Sequence, residues 1–248
     1  MFFFKNIYKN IFSFFLLLIT ISIFSYNLSS FIYLSKAHAR VKPKIEIIKN
    51  ELRLKQSNFI IGDSRAAASF NPELMSKNYF NISMAGTTPI EGYFILEKLL
   101  KKNRIDTLII SYAPFHLVYA DSWYDYTLKF RLLNIHDILN VYSYAKLHED
   151  LFFENSGNAF HIDYFLVFRK LFCLDEMKLH KMFANLALYK KRKVDLYDSI
   201  IQKRGHVFFG EADSSDGLNR EARLKDFLPS ITLNYYLNKT FELANQND

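Results

Sequence analysis

The sequence predicts an α/β protein: a three-layer α/β/α domain on a flavodoxin-like parallel sheet, with a helical insertion and an N-terminal transmembrane helix. Three observations predict it. Short apolar runs at 59–61, 79–83 and 106–112 alternate with helix-period segments, which is the βαβ pattern of a parallel sheet. Right-handed crossovers wind such a sheet on both faces. Ahead of them, Ile11–Leu34 is apolar apart from Ser, Thr and Asn, and about 20 residues suffice to cross a hydrocarbon core.

Composition sets the outer bounds. The 248 residues are 50% hydrophobic and 17% aromatic, which excludes a disordered chain and allows one domain with appendages. A net charge of +7 suits an anionic surface without naming one. The single cysteine, Cys173, excludes an intramolecular disulfide and a cysteine-rich zinc site, and its apolar surroundings read as a buried structural thiol. No P-loop, Gly-x-Gly-x-x-Gly or metal-ligand spacing occurs, so no cofactor or metal is expected. Dispersed basic residues give nucleic acid no footprint. Lys190-Lys191-Arg192-Lys193 reads as a solvated helix face.

Residues 1–10 form a short tail and 11–34 the anchor. A cleaved signal peptide is the rival, with Ala37-His38-Ala39 as its site, but this lies past the usual place. We expect a single pass through the cell inner membrane with the domain extracytoplasmic. The flanking charges, Lys5 and Lys9 against Lys36, Arg40, Lys42 and Lys44, lean slightly the other way. Residues 35–57 read as a helical stalk, an imperfect amphipathic helix after Pro43. The domain itself spans 58–248. Asn71-Pro72-Glu73 carries an N-cap and a proline at the first helical position. Ile90–Lys102 keeps Ile90, Phe94, Leu96, Leu99 and Leu100 near one face. Residues 117–206 read as the helical insertion, and Phe227–Leu243 as a last helix.

The chemistry is concentrated at Asn58–Arg65. A buried strand ends at Gly62, and Ala66-Ala67-Ala68 follows with high helix propensity, so Ser64 is delivered to a helix N-terminus. Backbone N–H groups there can hold a developing oxyanion. The plainer reading makes Ser64 an N-cap and Asp63 a turn residue. Sites in parallel sheets form beyond the carboxyl ends of the strands, where Ser64, Gly86 and the loop 113–116 all fall.

With Gly62-Asp63-Ser64, then Asn71-Pro72-Glu73 and Asn81-Ile82-Ser83-Met84-Ala85-Gly86, the chain resembles the GDSL-like, or SGNH, hydrolases. More narrowly it looks like their membrane-anchored bacterial branch, which includes proteins acting on cell-surface polymers. The resemblance covers 1–112 well and 113–248 loosely. It implies Ser64 as nucleophile, the Ser64 and Gly86 N–H groups in the oxyanion hole, and Asp63 as turn support. The implied function is an esterase or O-acyltransferase working on acyl esters of cell-surface glycans or lipids, through an acyl-enzyme. The implied partners are the lipid bilayer and a cell-surface glycan or acyl donor.

Two family elements are altered. Where the family has Gly-x-Asn after its third strand, this chain has Tyr112-Ala113-Pro114-Phe115. None of its seven histidines follows an aspartate by three positions, so Asp-x-x-His is missing. Its place would come after the last helix, so we expect a C-terminally shortened form. Loss of the base from a serine triad costs on the order of 10⁶ in turnover in a well-studied protease. His116, just past strand three, is a substitute-base candidate, and His206 a second; an ordinary polar histidine is the plain reading of each. A non-catalytic, membrane-tethered binding or assembly module of envelope polysaccharide synthesis is the competing function. A fragment left with an exposed sheet edge is a third reading.

Overall fold

Phe59, Ile60 and Ile61 are all buried, so this strand is covered on both faces, as its unbroken apolar run requires. In the computed structural model, which describes residues 10–17, 19–20, 36–49, 54–101, 103–120, 123–128, 130–150, 190–210 and 227–246, it is the central strand β1, Asn58–Gly62. β2 (Tyr79–Asn81) and β3 (Thr107–Ser111) pair with it on either side, both parallel, in the order β2-β1-β3. The small parallel sheet with its helices is an α/β arrangement. β1 leads out to β2 on one side, and β2 returns to β3 on the other. The carboxyl ends of β1 and β3 are therefore a topological switch point.

Gly62 is required at that end. It lies opposite Ser111, and a Cβ on it would sit 1.9 Å from the Ser111 carbonyl oxygen and 2.7 Å from the Ala66 Cβ. Gly62→Ala therefore has to part β1 from β3, and we expect a loss of about 2–3 kcal/mol. Urea unfolding followed by the fluorescence of Trp123 measures it. That single tryptophan is buried and donates from Nε1 to the Tyr142 hydroxyl at 3.1 Å.

Helices α2 (Ser64–Ser69) and α3 (Pro72–Met75) join β1 to β2. As expected, Asn71 caps α3 and Pro72 opens it; the Asn71 side chain accepts from the Glu73 N–H. Helix α4 (Pro89–Leu100) joins β2 to β3. A capping box starts it: the Thr88 side chain accepts from the Ile90 N–H, and the Thr88 N–H donates to Glu91 Oε2 at 2.6 Å. Glu91 is fully buried, and the Thr127 hydroxyl donates to its other oxygen. Burial raises its pKa, opposed by these hydrogen bonds. Ile90, Phe94, Ile95, Leu96 and Leu99 of α4 join Phe59 and Ile61 in the main core.

The segment expected as a stalk is part of that core. Helix α1 (Lys36–Ile48) runs through Pro43, and its Val41, Ile47 and Ile48 are buried in the main cluster. The helix thus begins earlier than expected and is clamped to the domain. After β3 come a 3₁₀ turn, Pro114–Leu117, a π-helical turn, Trp123–Leu128, and α5 (Ile135–Leu147). Helix α6 (Lys190–Gln202) packs on α1. Its Ile200 forms a second cluster with Ala67 and Val207. Helix α7 (Ile231–Asn245) packs on α4 through Leu233 and Tyr236. Cys173 lies outside the described residues.

Among the described residues no helix is long and apolar enough to cross a membrane. Of the anchor expected at 11–34, residues 11–17 and 19–20 are described and helical. They leave Ile11, Phe12, Phe14, Phe15, Leu16, Leu17 and Ile19 exposed. The rest of that span lies outside the described residues.

Candidate functional site at the β1–β3 switch point

Asp63 organises the site. It follows Gly62, is 1% exposed, and caps α2. Its Oδ1 accepts from the N–H groups of Arg65 (2.8 Å) and Ala66 (3.2 Å). Its Oδ2 accepts from the Ala113 N–H at 2.7 Å. One carboxylate thereby ties the exit of β1, the start of α2 and the exit of β3 together. The Asp63 carboxylate thus holds more than the local turn into α2. Ser64 is the first helical residue and Asp63 is the cap, so the plain reading of Ser64 as N-cap does not apply.

The cap decides which donors remain. Arg65 and Ala66 are used by Asp63, and the Ala67 N–H donates to the Asp63 carbonyl at 3.0 Å. The Ser64 N–H takes no partner among the described residues, and neither does Gly86. The loop bearing Gly86 is fastened to the same strand end. The Gly62 carbonyl accepts from the Met84 N–H at 3.0 Å and from the Thr87 hydroxyl at 2.8 Å. Gly86 has φ 73°, a left-handed conformation that favours glycine. Asn81 braces the far end of α2: its Nδ2 donates to the carbonyls of Ala66 (2.9 Å) and Phe70 (2.8 Å), while its Oδ1 accepts from the Ser83 N–H.

His116 stands on the 3₁₀ turn, mostly buried, with Nε2 3.8 Å from Asp63 Oδ2. The Ser230 N–H, at the cap of α7, donates to the Leu117 carbonyl at 2.9 Å and so steadies this turn. His206 is placed elsewhere: its Nε2 is 2.8 Å from the Ala68 carbonyl, on the body of α2. No hydrogen bond joins either imidazole to Ser64 among the described residues. The segment set against Gly-x-Asn in the sequence, Tyr112-Ala113-Pro114-Phe115, opens on Tyr112. Its hydroxyl is buried without a hydrogen-bond partner among the described residues and would lie 2.1 Å from a Cβ on Gly92. Burial first, then the charges of Glu91 and Asp63, push its phenol well above the ordinary range.

No family model, no curated protein and no solved structure matches the chain. The SGNH resemblance is carried by the sequence motifs alone. Among the described residues no group of His, Cys, Asp and Glu has the arrangement to hold a metal ion.

One charged residue of α1, read in the sequence only as a flanking charge, is buried. Lys44 is 1% exposed and donates from Nζ to the Ser83 carbonyl at 2.5 Å. Burial lowers its pKa from 10.5 to about 7. The available signal was its position amid Ile45, Ile47 and Ile48, but a lysine beside isoleucines ordinarily marks the wet edge of an amphipathic helix.

Proposed function

We propose that the chain is a membrane-anchored, SGNH/GDSL-like serine esterase or O-acyltransferase homologue acting on acyl esters of cell-surface glycans or lipids. In this reading the domain is a three-layer α/β/α fold of flavodoxin-like order. The anchor at 11–34 holds it at the inner membrane with the domain extracytoplasmic. The observation that carries the proposal is the pair of N–H groups, Ser64 and Gly86, that take no partner among the described residues, Ser64 following Gly62 at the exit of β1 and the Gly86 loop tied to the Gly62 carbonyl through Met84 and Thr87. An oxyanion needs such donors, already oriented and unoccupied.

Ser64 is the nucleophile. Its hydroxyl attacks the ester carbonyl and forms the acyl-enzyme, which water or a glycan hydroxyl then resolves. His116 is the base candidate, with Asp63 as the carboxylate that holds it. Its reach to Ser64 requires closer approach on substrate binding, when catalytic hydrogen bonds tighten. We expect the chain to release acetate from O-acetylated envelope glycan at a low rate, with Ser64→Ala abolishing release and His116→Ala lowering it by ~10²-fold. Release unchanged in Ser64→Ala would refute the nucleophile.

One observation favours a second reading: among the described residues no imidazole is hydrogen-bonded to Ser64. A non-catalytic, membrane-tethered binding or assembly module of envelope polysaccharide synthesis would need none. It predicts binding of acylated glycan without release of acetate.

A further inference from the structure

A cavity of about 270 Å³ lies between α1, α2 and the loop after β2. Its wall is mainly apolar: Val41, Ala67, Met84, Val207 and Phe209. Two cations of α1, one helical turn apart, complete it: Arg40 and Lys44. Lys44 is buried, and its ammonium has one acceptor among the described residues, the Ser83 carbonyl, for its three donors. The Arg40 guanidinium lies 4.9 Å over the Phe209 ring, and its Nε is buried without a hydrogen-bond partner among the described residues. No carboxylate faces either group among the described residues.

Two uncompensated cations in an apolar cavity are an expensive arrangement unless an anion enters. We propose that this cavity is a binding site for a small monocarboxylate with a short apolar chain. The carboxylate meets Lys44 and Arg40, and the chain lies against Met84, Val207 and Phe209. Three features select that class. The volume falls just below the usual range for drug-sized ligands, about 300–1,000 Å³, so the ligand is small. The apolar wall gives no partners to the remaining oxygens of a phosphate. Arginine's planar fork matches a carboxylate, and it is already stacked on an aromatic ring. Ser64 does not line the cavity, so this site and the proposed esterase stand or fall separately.

The test is calorimetric titration of the purified full chain, at about pH 6.5, with hexanoate, hexanol and inorganic phosphate. Lys44→Met and Arg40→Gln are titrated alongside. We expect hexanoate to bind, hexanol and phosphate to bind at least ~10-fold more weakly, and each variant to lose at least ~10-fold in hexanoate affinity. Urea unfolding of each variant, compared with wild type, confirms that it is folded. Hexanol binding as well as hexanoate, phosphate binding in its place, unaltered affinity in folded Lys44→Met, or no hexanoate binding would each overturn the proposal.

Discussion

Replacing Asp63 with alanine is expected to destabilise the fold by about 3–5 kcal/mol. The carboxylate is buried and accepts three backbone N–H groups, from Arg65, Ala66 and Ala113. Loss of a cap alone costs about 0.5–2 kcal/mol, and each buried donor left unpaired costs about 1–3 kcal/mol. Such a sum is a large part of a domain's usual margin of about 5–15 kcal/mol. Asp63→Asn separates the contributions. One amide oxygen can serve either α2 or Ala113, and the NH₂ then opposes the N–H on the other side, so an intermediate loss of about 2 kcal/mol is expected. Urea unfolding read from Trp123 gives both values. An alanine variant within about 0.5 kcal/mol of wild type, the range of ordinary surface substitutions, would remove Asp63 from its organising place.

The second large effect concerns Lys44 and pH. Its pKa is 10.5 as an ordinary lysine and about 7 in the fold. Between these values the unfolded chain binds more protons than the folded one, so this group makes stability rise with pH across that window. Below about pH 7 both states are protonated, and the folded state carries the full cost of a buried ammonium. Lys44→Met removes that cost while keeping most of the volume. We expect the variant to be more stable than wild type by about 3 kcal/mol near pH 6, the difference shrinking between about pH 7 and pH 10.5. Parallel urea titrations across that range measure it. A constant difference, or one that grows with pH, would contradict the burial of a lone charge.

Both residues show which parts of the fold were legible beforehand. β1, β3 and α4 stand where short apolar runs and a helix-period face announced them, because local pattern and tertiary burial agree there. Asn71 and Pro72 were equally legible, since their cap is made within three residues. The bond from Asp63 to Ala113 spans 50 residues and leaves no local mark. Asn81 looked like part of a family block, yet its amide holds two carbonyls of the α2 segment, 15 and 11 residues earlier. Helix α1 was read as an imperfect amphipathic helix following Pro43. The surrounding core holds it helical from Lys36 through the proline. The same packing turns a stalk lysine into a buried one. Ser64 and Gly86 were legible as positions. Their spare N–H groups were not: that of Ser64 depends on which donors Asp63 takes, and that of Gly86 on how Met84 and Thr87 tie its loop to Gly62.

The central proposal is that Ser64 acts as a nucleophile, served by the N–H groups of Ser64 and Gly86, which take no partner among the described residues. It is tested most directly by treating the full chain with a fluorophosphonate probe and locating the adduct by peptide mass spectrometry. The account predicts one adduct, on Ser64, abolished in Ser64→Ala. A folded protein that takes no probe at Ser64, or takes it equally at other serines, would contradict it.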